Sequence, residues 1–117
     1  MIGELTNRQV YLACGATDLR RGIDGLAVLV SEQFDLDPFS SCLFVFCNRN
    51  RDKIKCLFWD VNGFWLLQRR IEKGRFDWPQ EGQEAITISY RQLRWLMDGL
   101  SIRQNKAFQE LTYSTII

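Results

Sequence analysis

Apolar positions change period several times along the chain, and each change marks an element. Arg8 to Cys14 (RQVYLAC) alternates, with Val10 and Leu12 on one side and Tyr11 and Ala13 on the other, as in a strand. Gly15 to Asp18 breaks it, and Thr17 or Asp18 is placed to cap a following helix. From Leu19, apolar residues recur at Ile23, Leu26, Val30 and Phe34, the spacing of an amphipathic helix over Leu19–Phe34. Asp35 to Ser41 is a loop. Cys42 to Cys47 (CLFVFC) is a continuous apolar run, as in a strand covered on both faces. Lys53 to Asp60 alternates, with Ile54, Cys56 and Phe58 on one face and Lys53, Lys55, Leu57 and Trp59 on the other. Asn62-Gly63 predicts a hairpin turn and Phe64 to Glu72 the return strand. Lys73-Gly74 is a second turn, and Arg75 to Trp78 continues the meander until Pro79 ends it. Ala85 to Ile88 is a short strand. Ser89, with Gln92 three residues on, forms a capping box for a helix over Tyr90–Asp98, stopped by Gly99. Leu111 to Ile117 has strand composition and suits a sheet edge or a partner.

This order predicts an α+β fold: an antiparallel β-meander of about four to six strands packed against two helices on one side. At 117 residues it is one domain, 1–117, with a core over about 8–100 and a C-terminal extension over 101–117. No apolar run approaches the roughly 20 residues of a membrane span, and no secretory pattern opens the chain. A cytoplasmic location is expected.

Charge alters the picture in one stretch. The chain carries 15 Lys and Arg against 14 Asp and Glu, yet Asn48 to Pro79 holds Arg49, Arg51, Lys53, Lys55, Arg69, Arg70, Lys73 and Arg75. Only Asp52, Asp60, Glu72 and Asp77 oppose them, and Trp59, Trp65 and Trp78 lie among them. Basic groups interleaved with aromatics suit a phosphate backbone and base stacking. A solvated basic face over an aromatic core is the other reading of the same residues. Arg20 and Arg21 add positive charge at the start of the first helix, although no P-loop pattern is present.

The absence of histidine excludes Ser-His and Cys-His nucleophile pairs and any imidazole base or ligand. Cys14, Cys42, Cys47 and Cys56 contain no C-x-x-C pair and read as reduced, mostly buried thiols. Asp18, Asp24, Asp60 and Glu72 include enough carboxylates for a two-metal nuclease, but their spacing does not require one. No metal, cofactor or enzymatic activity is expected.

Three segments together carry a resemblance: YLACGATDLRRGIDGLAVLV, DPFSSCLFVFCNRNRDKIKCLFWDVNGFWLLQRRIEKGRFDWP and ISYRQLRWLMDGL. In order, they resemble the blocks of the TnpB accessory protein, the second open reading frame of the insertion-sequence-sixty-six group of bacterial transposons. The combination of FVF-x-N-R, K-x-K-x-L-x-W-D-x-x-G-F and R-x-x-x-G-R-F-x-W-P is specific, and the likeness covers roughly Val10 to Leu100. It implies an accessory role in DNA transposition, within a complex whose larger transposase carries the strand-transfer chemistry. The implied partners are DNA, as element ends or non-specific duplex, and the transposase and other proteins of the same element; a homo-oligomer is left open. The resemblance brings no catalytic residue set: Asp60 and Glu72 match family positions without an agreed role. Ser101 to Ile117 departs from the family in lacking an arginine-rich ending. The expected nucleic-acid contacts are Arg49, Arg51, Lys53, Lys55, Arg69, Arg70, Lys73, Arg75, Arg20, Arg21 and Trp65. The alternative is a protein–protein adaptor for the transposase without DNA affinity of its own.

Overall fold

Among the described residues, five strands and two helices follow in the order β1 (Val10–Ala13), α1 (Ile23–Glu32), β2 (Leu43–Cys47), β3 (Lys53–Asp60), β4 (Gly63–Arg70), β5 (Ala85–Ile88) and α2 (Tyr90–Met97). The computed structural model describes residues 5–103, so the expected strand at Leu111 to Ile117 lies outside the described residues. The strands form one sheet in the order β4-β3-β2-β1-β5. The α+β class holds, and β2, β3 and β4 form the expected antiparallel meander.

Three features differ from the sequence reading. First, β1 pairs with β2 in parallel, Val10 opposite Leu43, while β5 joins β1 antiparallel. A parallel pair needs a long crossover, and residues 14–42 supply one that contains α1. Second, the helices lie on opposite faces. Leu26 and Val30 of α1 pack with Ala13, Leu19, Phe44, Phe46 and Leu57. Leu93 and Leu96 of α2 pack with Val10, Leu12, Leu43, Val45, Ile54 and Phe58. Strand β2 lies between the two layers, which explains why all five of its residues are buried. Third, Arg75 to Trp78 is not a strand. The segment turns back under the sheet and buries Phe76 and Trp78 in the α2-side core, with the Phe76 N–H on the Arg51 carbonyl at 2.7 Å.

Helix boundaries follow local hydrogen bonding. Ser89 caps α2 as expected: its hydroxyl accepts the Gln92 N–H at 3.0 Å, and the Gln92 side chain accepts the Ser89 N–H at 2.8 Å. Helix α1 starts later than expected, at Ile23 with Gly22 as its N-cap. The Asp18 carboxylate is taken instead by the main chain and guanidinium of Arg20, so residues 15–22 form a loop.

The β3–β4 turn falls on Val61-Asn62, with Asp60 opposite Gly63. The shift from Asn62-Gly63 preserves which face each residue occupies, because it changes the register by two. It leaves Val61, a β-branched residue, in the left-handed region at φ 52° and 89% exposed. That conformation costs a β-branched residue roughly 1–2 kcal/mol. Val61→Gly, which removes this strain and little packing, is expected to raise stability by about 1 kcal/mol in urea denaturation. Among the described residues, no helix is long and apolar enough to cross a membrane.

Candidate nucleic-acid interface

The α1 face of the sheet extends past the helix toward β3 and β4, and there it becomes cationic. Alternation puts Lys53 and Lys55 on this face with Leu57, and the register adds Gln68 opposite Lys55 and Arg70 opposite Lys53. Two loops wall the surface: Ala16 to Arg20 after β1, and Asn48 to Asn50 before β3. Together they enclose an open groove of about 610 Å³, lined by Thr17, Asp18, Arg20, Asn48, Arg49, Asn50, Lys53, Lys55 and Gln68.

The cations differ in how free they are. The side chains of Arg49 and Lys53 form no ion pair or hydrogen bond with another described residue. Arg20 is held by Asp18 at 2.8 Å, and Arg70 by Glu72 at 3.0 Å, both on the exposed surface. Lys55 reaches across the groove floor and donates to the carbonyls of Leu19 at 2.6 Å and Arg21 at 3.3 Å. Its role is to pin the β1–α1 loop to the sheet, which fixes where Arg20 stands.

Asn48 organises the other wall. Its side-chain carbonyl accepts the N–H groups of Asp52 and Lys53 at 3.0 and 3.1 Å, and its amide donates to the Asp52 carboxylate at 2.6 Å. This Asx-type closure lets Arg51 adopt φ 57° and projects Arg49 outward. Among the described residues, Asp18 is the one carboxylate in the groove lining. The hydrogen bonds from Arg20, side chain first and main chain next, hold its carboxyl down at about 2, so it stays ionised through the neutral range.

The other expected contacts are dispersed. Arg51 sits at the loop base, and Lys73 and Arg75 follow in the exposed segment that returns to it. Arg21 is exposed beside the groove, below Lys55. Arg69 and Trp65 project from the opposite face of β4. Trp65 stacks on Phe58 at 6.4 Å while remaining 43% exposed, and Trp59 packs edge-on against Phe64 at 5.0 Å, so both tryptophans make cross-strand aromatic pairs. Arg69 borders an apolar groove of about 380 Å³ between α2 and β2 to β4, floored by Leu43, Val45, Ile54, Cys56 and Leu67 and walled by Leu93 and Met97.

Sequence reasoning missed Gln68, Asn48 and Arg8. Gln68 becomes a groove residue only through its register with Lys55. Arg8 donates to the Trp59 carbonyl at 2.8 Å, lies 5.3 Å from the centre of the Phe58 ring and faces Asp60 at 3.6 Å, so Asp60 has a structural partner. Among the described residues, no three Cys, Asp or Glu side chains gather to hold a metal ion. The four thiols are free. Burial pushes Cys47 and Cys56 up to about 12, which keeps both as unreactive thiols.

The fold and groove therefore define a small α+β domain with a preformed cationic cleft. The chain belongs to the family described as IS66 Orf2 like protein, whose model matches residues 8–107. It is an IS66-type accessory protein with a role in transposition, and that role implies association with a transposase of the same element. Two proteins of Sinorhizobium fredii (strain NBRC 101917 / NGR234) are similar to it. Uncharacterized protein y4hO is 39% identical over 97 residues, covering 83% of this chain and 84% of that protein. Uncharacterized protein y4jC is 32% identical over 100 residues, covering 86% of each. No solved structure matches.

Proposed function

We propose that this protein binds DNA through phosphates in the groove between the β1–α1 and β2–β3 loops, as part of the transposase complex. The observation that carries this reading is the convergence of Arg20, Arg49 and Lys53 on one open cleft, with Arg70 beside Lys53. Two of these cations have no partner among the described residues, as expected of groups kept for an external anion. The groove presents loops and a sheet surface rather than a helix, so it contacts the backbone more readily than base edges.

An anisotropy titration with an element-end duplex and a random duplex, at two salt concentrations, tests this. Similar affinities for both and a steep decline with salt are expected. Asp18 supplies a second, opposite-signed test. Asp18→Asn removes a negative charge from the groove lining and releases Arg20, so affinity is expected to rise by roughly threefold to tenfold at low salt.

The adaptor reading has its own support in the apolar groove beside α2, where Arg69 and Arg94 flank exposed aliphatic surface. If the protein shows no DNA affinity at low salt yet co-purifies with the transposase, the adaptor reading replaces the one proposed.

A further inference from the structure

Among the described residues, strand β4 is an edge of the sheet, eight residues long. Its outward main-chain groups follow from the hydrogen-bond phase. The Asn48 N–H donates to the Lys53 carbonyl, so Lys53, Lys55, Leu57 and Trp59 direct their N–H and C=O toward β2. Ile54, Cys56, Phe58 and Asp60 then face β4, where their partners are Arg69, Leu67, Trp65 and Gly63. Phe64, Leu66, Gln68 and Arg70 are left with main-chain donors and acceptors directed away from the sheet. No described residue pairs with them. The strand has no proline, and Trp65 and Leu67 are 43% and 40% exposed. A long, unprotected edge of this kind is a template for another strand.

We propose that the partner is a second copy of this chain, paired antiparallel β4 to β4 about a two-fold axis through Leu67. Two independent arguments select that register. An axis normal to the sheet pairs residues of the same face, and only centring on Leu67 pairs all four outward residues among themselves. Phe64 then bonds with the partner's Arg70, and Leu66 with the partner's Gln68. The same register sets each arginine against an aromatic ring: Trp65 opposite the partner's Arg69, and Phe64 opposite the partner's Arg70. Cation–π contacts thus form where a shift centred on Leu66 would set the arginines against Asn62 and Gly63. Leu67 meets the partner's Leu67 on the axis. Because this axis preserves faces, both cationic grooves open on the same side of a ten-stranded sheet. The two β3 strands then lie about 14 Å apart. The pairing does not depend on DNA binding and is tested without it.

Sedimentation of the full chain over a range of concentrations is expected to show a monomer–dimer equilibrium. Gln68→Pro removes an outward N–H and no hydrogen bond within the monomer, so it is expected to abolish the dimer while leaving the circular dichroism spectrum unchanged. Leu67→Lys sets like charges opposite each other on the axis and is expected to weaken dimerisation by roughly tenfold or more, which keeps the test valid if the proline variant misfolds. Leu67→Cys, in a Cys56→Val background that removes its cross-strand thiol, is expected to form an intermolecular disulfide on mild oxidation, because facing Cβ atoms lie about 4.5–5.5 Å apart. A monomer at millimolar concentration, an oligomer indifferent to both Gln68→Pro and Leu67→Lys, or cross-linking through Leu66→Cys in place of Leu67→Cys would overturn the proposal.

Discussion

Replacing Arg20, Arg49, Lys53 and Arg70 together with glutamine is expected to lower affinity for every duplex tested by roughly a hundredfold or more at low salt. The salt slope should flatten by about 0.9 for each phosphate that is no longer neutralised. The four side chains come from the β1–α1 loop, the β2–β3 loop and the facing strands β3 and β4, so no single element accounts for the effect. None of them is buried, and glutamine keeps the aliphatic stem of each, so the melting temperature should change little. Lys55 is left out of this variant because its ammonium group is engaged by the Leu19 and Arg21 carbonyls. A Lys55 variant reports on loop anchoring and phosphate binding at once. Equal weakening for the element end and the random duplex would mark backbone binding. Weakening confined to the element end would point to base contacts in the groove instead.

Trp78→Ala is expected to cost about 3–5 kcal/mol, the largest stability effect of any single change considered. Trp78 is buried among Phe76, Cys14 and the α2-side core, in a segment with no regular structure of its own. Its indole N–H donates to the Ala13 carbonyl at 2.8 Å, at the end of β1. The neighbouring chain closes on the same point: the Gly15 N–H donates to the Pro79 carbonyl at 2.8 Å, and the Cys14 N–H to the Glu84 carbonyl at 2.9 Å. Gly15 itself is at φ 76°, and a Cβ there would lie 3.0 Å from the Gly82 carbonyl oxygen, so a side chain could not be added without moving the loop. Trp78 thus ties the residue 71–84 connection to the end of β1. Trp78→Phe keeps most of the apolar volume and loses the hydrogen bond, and it is expected to cost about 1–2 kcal/mol. Urea denaturation followed by circular dichroism separates the two, and equal stabilities for Trp78→Ala and wild type would refute this packing role.

Local periodicity was enough to read the strands as faces. The alternation in Lys53 to Asp60 placed Ile54, Cys56 and Phe58 opposite Lys53, Lys55 and Leu57, and the structure keeps that division. The continuous run at β2 announced a strand covered on both sides, and Ser89 with Gln92 announced the start of α2. What was not legible depends on contacts between distant residues. Nothing in the spacing of Val10 to Ala13 says that this strand sits between β2 and β5, or that α1 and α2 lie on opposite faces. Arg75 to Trp78 alternates like a strand because Phe76 and Trp78 both point inward, yet its hydrogen bonds go to a loop.

The candidate site shows the same division. Composition located the basic stretch but could not sort its members. Arg69 and Trp65 belong to the far face, and Arg20, far away in sequence, completes the groove. That Lys55 is engaged by backbone carbonyls while Lys53 is free follows only from where the β1–α1 loop passes.

The DNA-binding reading is tested most directly by a nuclear magnetic resonance titration of the labelled protein with a short random duplex at low salt. Backbone shifts are expected to concentrate at Arg20, Asn48 to Asn50, Lys53 and Gln68, with the α2 face little changed. Shifts centred on Leu93, Met97 and Arg69, or none anywhere, would rule out the groove as the DNA surface.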